Sequence, residues 1–180
     1  MLTLVLTVVT GLIYPLAITG ISQVLFPNQA TGSFITSNGR VIGSSLIGQN
    51  FAKPEYFHPR PSAAGDKGYD GMASGGSNLA PTNPALEKRL AGSAVAFRKE
   101  NPGYTGSIPS DAITTSASGL DPHISPVFAL AQCERVAKAR NVPAGQIRNL
   151  VQSRIEPRQL GFLGEPRVNV LLLNLALDGK

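Results

Sequence analysis

Residues 2–26 read LTLVLTVVTGLIYPLAITGISQVLF, and no Asp, Glu, Lys, Arg or His occurs anywhere in residues 1–39. At about 1.5 Å per residue a helix of this run reaches roughly 37 Å, against a bilayer core of about 30 Å. Fourteen of its twenty-five residues are Leu, Ile, Val or Phe, enough to outweigh Thr3, Thr7, Thr10, Pro15, Thr19, Ser22 and Gln23. A buried helix of a water-soluble domain rarely runs so far without a polar face. A cleaved signal peptide normally has a basic leader and a small-x-small cleavage site, and neither is present. The run reads as an uncleaved transmembrane anchor.

Outward from the anchor, residues 27–32 form a short connector, and residues 33–180 are long enough for one soluble domain with its own core. Asn38-Gly39, between 33–37 and 40–48, is a strong two-residue hairpin signal. Residues 50–81 are rich in Gly, Pro, Ser, Asn and Asp and read as a long ordered loop, a feature that is often functional. Three helices follow, each opened by Pro near its first position: at Asn83-Pro84, Ser125-Pro126 and Pro143. Their apolar stripes run through Leu86, Leu90, Ala94 and Phe97; through Ala129, Leu130, Cys133, Val136 and Ala137; and through Ile147, Leu150, Val151 and Ile155. Residues 168–177 look β-compatible. Intermixed helices and strands predict an α+β domain behind a single N-terminal transmembrane helix.

The single cysteine, Cys133, cannot form an internal disulfide and lies on an apolar stripe, so it reads as a packing residue. Net charge is +5. Arg135, Lys138, Arg140, Arg148, Arg154, Arg158 and Arg167 face only Glu156 and Glu165, and the rest of the chain is balanced. This stretch reads as solvated helix faces before it reads as a surface for anionic lipid or an acidic partner. It has no interleaved aromatics, which argues against nucleic acid.

Catalytic signatures are sparse. There is no Walker-type loop and no Gly-x-Gly-x-x-Gly, and the two histidines, His58 and His123, lack metal-pair spacing. Asp121, His123 and Ser125 alternate too closely to imply a triad; Ser125 suits a helix cap and Asp121 a turn. Ser74-Gly75-Gly76-Ser77-Asn78 reads as a tight turn rather than a phosphate cradle. Within the anchor, Thr3, Thr7, Thr10 and Tyr14 share a helical face with Gly11. That face suits docking against other membrane helices, although threonines also bond carbonyls of their own preceding turn.

Seven collinear motifs carry a resemblance. They are TGLIYPLAITG at 10–20, LIGQNF at 46–51, YFHPRPSA at 56–63, SGGSNL at 74–79, SGLDPHISP at 118–126, RVAKAR at 135–140 and PRVNVLLLNLAL at 166–177. Together they resemble the C subunit of the Kdp potassium-transporting ATPase. Such proteins commonly carry a few basic residues before the span, and this chain starts directly in it. The resemblance implies an accessory subunit of a high-affinity potassium pump in the bacterial cell (inner) membrane, with its C-terminal domain outside the cytoplasm. Its implied partners are a channel-like A subunit, a P-type ATPase B subunit and a small F subunit. It implies no cofactor of its own, with ATP, magnesium and potassium handled by the complex. The family is also described as raising the ATPase subunit's affinity for ATP. The Asp66-Lys67-Gly68 tripeptide lacks the threonine of a phosphorylation motif, so energy conversion falls to a partner. Two other readings stand beside this one: a domain that gathers or gates potassium at the pore entrance, and a tethered hydrolase using His58 or His123.

Overall fold

The computed structural model describes residues 1–37 and 39–179. They divide into two compact units, 1–46 and 47–180.

The first unit opens on a continuous helical rod, built as α1 (Leu2–Val8), a π-helical turn (Val9–Ile13) and α2 (Tyr14–Leu25). None of the rod is buried, as a lipid-facing helix requires and a core helix would not allow. The wide turn has a local cause. Pro15 sits at the start of α2 and brings no N–H, and its ring clashes with the carbonyl four residues back. The ladder lengthens to accommodate it, so that the Tyr14 N–H reaches the Val9 carbonyl. Phe26 leaves helical geometry, Pro27 opens the four-residue α3 (Pro27–Ala30), and the chain enters a hairpin. In it β1 (Phe34–Ser37) pairs antiparallel with β2 (Arg40–Ser44), from Phe34↔Ser44 to Ser37↔Arg40, with a bulge after Ile35. The expected hairpin is therefore present; Gly39 takes φ +75°, and Asn38 lies outside the described residues.

The second unit is built around one helix. After a segment with no helix or strand come α4 (Pro84–Glu100), a 3₁₀ turn (Ser110–Ala112), β3 (His123–Ile124), α5 (Pro126–Arg140), α6 (Ala144–Ser153), β4 (Val168–Asn169) and α7 (Val170–Leu177). The three proline-led helices start where expected. The Asn83 side chain accepts from Ala85 N, and Ser125 Oγ accepts from Phe128 N, each satisfying an orphan N–H of the first turn. Helix α5 ends on Asn141 in the left-handed region, which Asn tolerates better than most residues. Ala129, Cys133 and Val136 on α5 are fully buried, packed in one cluster with Phe57, Phe97, Phe128, Ile147, Val151, Val168 and Leu173. The stripe expected on α6 holds through Val151, but the helix stops at Ser153 and Ile155 joins the core from beyond its end.

One assignment is corrected. Only Val168 and Asn169 of the apolar C-terminal run are strand, paired to Ile124 and His123. From Val170 the chain is helical, because Asn169 Oδ1 accepts from Leu172 N and caps it, and Leu, which has no branch at Cβ, loses little side-chain freedom in a helix. A strand pattern in Val-Asn-Val gives way to a helix once Leu-Leu-Leu follows.

Candidate functional site

The membrane face proposed from sequence is the first candidate. Thr7 Oγ1 donates to the Thr3 carbonyl at 2.9 Å and Thr10 Oγ1 to the Leu6 carbonyl at 2.7 Å. Both hydroxyls are thus satisfied within the helix, and what the face offers a neighbour is shape. A Cβ placed on Gly11 would meet nothing within 4 Å, so the backbone there is open to close approach. The π turn carries one more residue than an α turn, so Tyr14 is rotated from the position a plain helical count gives it.

In the second unit, Arg60, Asp121 and His123 line an open cleft of about 670 Å³. His123 Nδ1 stands 3.4 Å from Asp121 Oδ1, and its Nε2 stands 4.0 Å from Glu156. Arg60 Nη1 reaches Asp121 Oδ2 at 3.2 Å. Burial pushes the Asp121 carboxyl up, but the His123 hydrogen bonds and the Arg60 charge outweigh it and hold the group below the usual carboxylate range. The third residue of the sequence trio is turned elsewhere. Ser125 Oγ donates to Asp111 Oδ1 at 3.0 Å, while Ser125 N donates to Asp111 Oδ2 at 2.6 Å. A hydroxyl committed to a carboxylate and a helix cap is not a nucleophile aligned on an imidazole. Asp121 also accepts from His123 N, the turn role expected of it.

His58 has a different setting. Its Nδ1 lies 3.2 Å from Glu100 and its Nε2 lies 3.1 Å from the Lys53 carbonyl. Burial, followed by the Arg135 charge, holds its pKa below the ordinary value. The two acceptors pull the other way and are outweighed. Cys133, a packing residue as expected, has its thiol pushed up to about 11 by burial.

The glycine-rich element is corrected in kind. Residues 74–78 form no tight turn; they lie against the 116–119 backbone. Gly75 N donates to the Ser118 carbonyl at 2.8 Å and Ser74 Oγ to the same carbonyl at 3.0 Å. A Cβ on Gly119 would stand 2.6 Å from the Gly75 carbonyl, and one on Gly76 would stand 3.0 Å from the Ala117 carbonyl. These glycines permit two backbones to touch, and the Gly75 N–H is already used on Ser118.

Sequence reasoning missed the groups that hold the long loop. Two fully or nearly buried amides clamp consecutive loop residues. Asn174 Oδ1 accepts from Phe57 N at 2.8 Å and its Nδ2 donates to the Phe57 carbonyl at 3.0 Å. Gln132 does the same for His58, at 2.7 Å and 3.1 Å. The signal was present as one polar residue inside each apolar stripe, FALAQC and LLLNLAL. Two members of the basic stretch bind the same loop. Arg135 Nη1 donates to the Pro54 and Tyr56 carbonyls, and burial lowers its pKa to about 10. Arg140 donates to the Glu55 and Leu177 carbonyls and to Asp178, under the ring of Tyr56 at 5.0 Å. Arg148, Arg158 and Arg167 pair with Glu134, Glu165 and Glu156. Much of the basic stretch is thus occupied within the fold.

A family model described as K+-transporting ATPase, c chain (KdpC) matches residues 1–179. The chain is 57% identical over 174 residues to the potassium-transporting ATPase KdpC subunit of Myxococcus xanthus, covering 96% of this chain and 82% of that protein. It is 58% identical over 175 residues to the KdpC subunit of Caulobacter vibrioides strain NA1000, covering 97% and 87%. Against the KdpC subunit of Geobacter sulfurreducens it is 54% identical over 176 residues, covering 97% and 92%.

Proposed function

Because the chain belongs to the KdpC family, we propose that it is an accessory, non-catalytic subunit of an ATP-driven potassium-uptake complex. The observation that carries this reading is the family match over residues 1–179, which takes in the apolar rod and the folded body together. The rod anchors the subunit in the cell membrane as a single span, and the face around Thr7, Thr10 and Gly11 packs against helices of the channel-like, ATPase and small F-type partners. Close packing is the main source of helix association in lipid, and Gly11 offers it.

The body lies outside the cytoplasm, where it stabilises the assembly. ATP, magnesium and potassium are handled by the other subunits. The gain in ATP affinity is an allosteric coupling passed through the membrane-embedded partners, since the nucleotide is on the opposite side. Support comes from the Gly75-Gly76 element, whose Gly75 N–H is spent on Ser118 and is not directed at a phosphate.

The test is mild-detergent purification of the complex with and without this chain, with ATP hydrolysis measured against ATP concentration. Co-purification with the pore and ATPase subunits is expected, together with a KM for ATP about 5-fold or more higher when the chain is absent, the low end of ordinary allosteric coupling. Isolation as a lone monomer would overturn the subunit role. An unchanged KM in an otherwise intact complex would remove the coupling alone.

A further inference from the structure

Between α6 and β4 the chain builds a finger. Its base is a two-way backbone pair, Glu156 N to the Arg167 carbonyl at 2.8 Å and Arg167 N to the Glu156 carbonyl at 3.1 Å. A second pair joins Gln159 and Leu163 at 3.0 and 2.9 Å, and the tip turns through Leu160 at φ +53° and Gly161 at φ +83°. The flanks are braced by Arg158 on Glu165 at 2.6 Å and Arg167 on Glu156 at 2.9 Å. At the end stand Leu160, Phe162 and Leu163, exposed by 82%, 70% and 47%.

Single apolar residues on a surface are ordinary, but three on one braced tip are not. Leu160 also holds a left-handed conformation that side chains other than Gly, Asn and Asp seldom adopt. The finger makes no use of this tip within its own unit's core.

We infer that the 159–164 tip is a docking knob, and that its occupant is an apolar socket with a nearly neutral rim on another membrane-embedded subunit of the same complex. The inference rests on the proposed subunit role. Two observations select this occupant. Three side chains, even wholly covered, contribute well under the roughly 800 Å² that each partner gives to a free-standing interface. The knob therefore needs a partner already held close by another attachment, and the span supplies that attachment to neighbours in the same membrane. Charge disfavours the lipid surface: over residues 156–167 Arg158 and Arg167 are matched by Glu156 and Glu165, and those residues contain no Lys. Elements that settle on bilayers set such apolar residues beside a net basic face, which the 156–167 finger lacks. An exposed Phe beside half-exposed arginines is instead a composition enriched in protein interfaces.

The experiment places a photo-cross-linking amino acid at Phe162 of the full chain, in membranes holding the whole complex, with the same probe at the exposed Met72 as comparison. An adduct to another subunit from position 162, and none from 72, is expected. The double variant Leu160→Ser with Phe162→Ser should lower retention of the partners on an affinity column about tenfold, while its circular dichroism and unfolding midpoint stay unchanged because neither side chain packs in the core. Adducts only to lipid or to a second copy would overturn the inference, as would no adduct while the unaltered chain still brings its partners down. If the unaltered chain itself purifies alone, the subunit role fails first and the knob with it.

Discussion

Two stretches of this chain are richer in Leu, Ile and Val than any other, and they meet opposite fates. In the rod Leu2–Leu25 nothing is buried, whereas in α7 (Val170–Leu177) Val170, Leu171, Leu173 and Asn174 all are. Length separates them first, because eight helical residues rise only about 12 Å and cannot cross a bilayer core. A polar partner separates them second. Asn174 sits in the apolar run with both amide atoms bonded to the Phe57 backbone, while Thr7 and Thr10 of the rod turn inward to their own helix. Apolar composition says that water is avoided; span length and the placement of polar atoms say whether lipid or protein replaces it.

The same substitution in the two runs breaks them differently, and this gives the largest expected effect. Leu173→Asp puts an unpaired carboxylate at a fully buried site and should remove about 4 kcal/mol or more of folding stability, read as loss of a cooperative urea transition. Leu12→Asp should leave the body folded and instead cost roughly 2.5–3.5 kcal/mol of insertion, read as release of intact chain by alkaline carbonate. Asn174→Leu comes next: it leaves the Phe57 N–H and carbonyl buried without partners, for about 2–4 kcal/mol in the same urea assay. Gly11→Leu fills the open position on the rod and should lower the yield of assembled complex a few-fold without moving the unfolding midpoint. An unchanged yield would mean that this face looks at lipid.

The smallest effect is a pH dependence of the body. The folded state holds the His58 pKa below its ordinary value of 6.5, so the unfolded chain binds the proton more readily. Stability should therefore be complete above pH 6.5 and fall as the pH drops below it, levelling once folded His58 is itself protonated. Asp121, also lowered, adds a further loss at more acid pH, below its ordinary value of 3.8. His58→Gln should flatten the first of these two slopes, measured as unfolding free energy between pH 7 and 5.

What was legible from sequence follows from where each signal is local. The rod, the Pro-led helix starts, the Ser125 cap and the Asn38-Gly39 hairpin are all set by residues within a few positions of one another, and all are found as read, with Asn38 itself outside the described residues. Residues 168–177 read as β-compatible throughout, and the helix from Val170 depends on the cap that Asn169 makes with Leu172. Ser74–Asn78 was misread because its partner, 116–119, lies some forty residues away. Gln132, Arg135 and Arg140 were hidden for the same reason, since their bonds reach loop residues 74 to 85 positions earlier. Long-range polar clamps leave only a faint trace in sequence, a hydrophilic letter where an apolar one is due.

Cys133 carries a practical consequence. It is the chain's single cysteine, is fully shielded, and its Sγ points at the Ala129 carbonyl 3.6 Å away on the same helix. In the native state the molecule is therefore silent toward maleimides and indifferent to the redox poise of whichever side it faces. Any cysteine engineered onto its surface would report alone, with no need to strip the natural one away first.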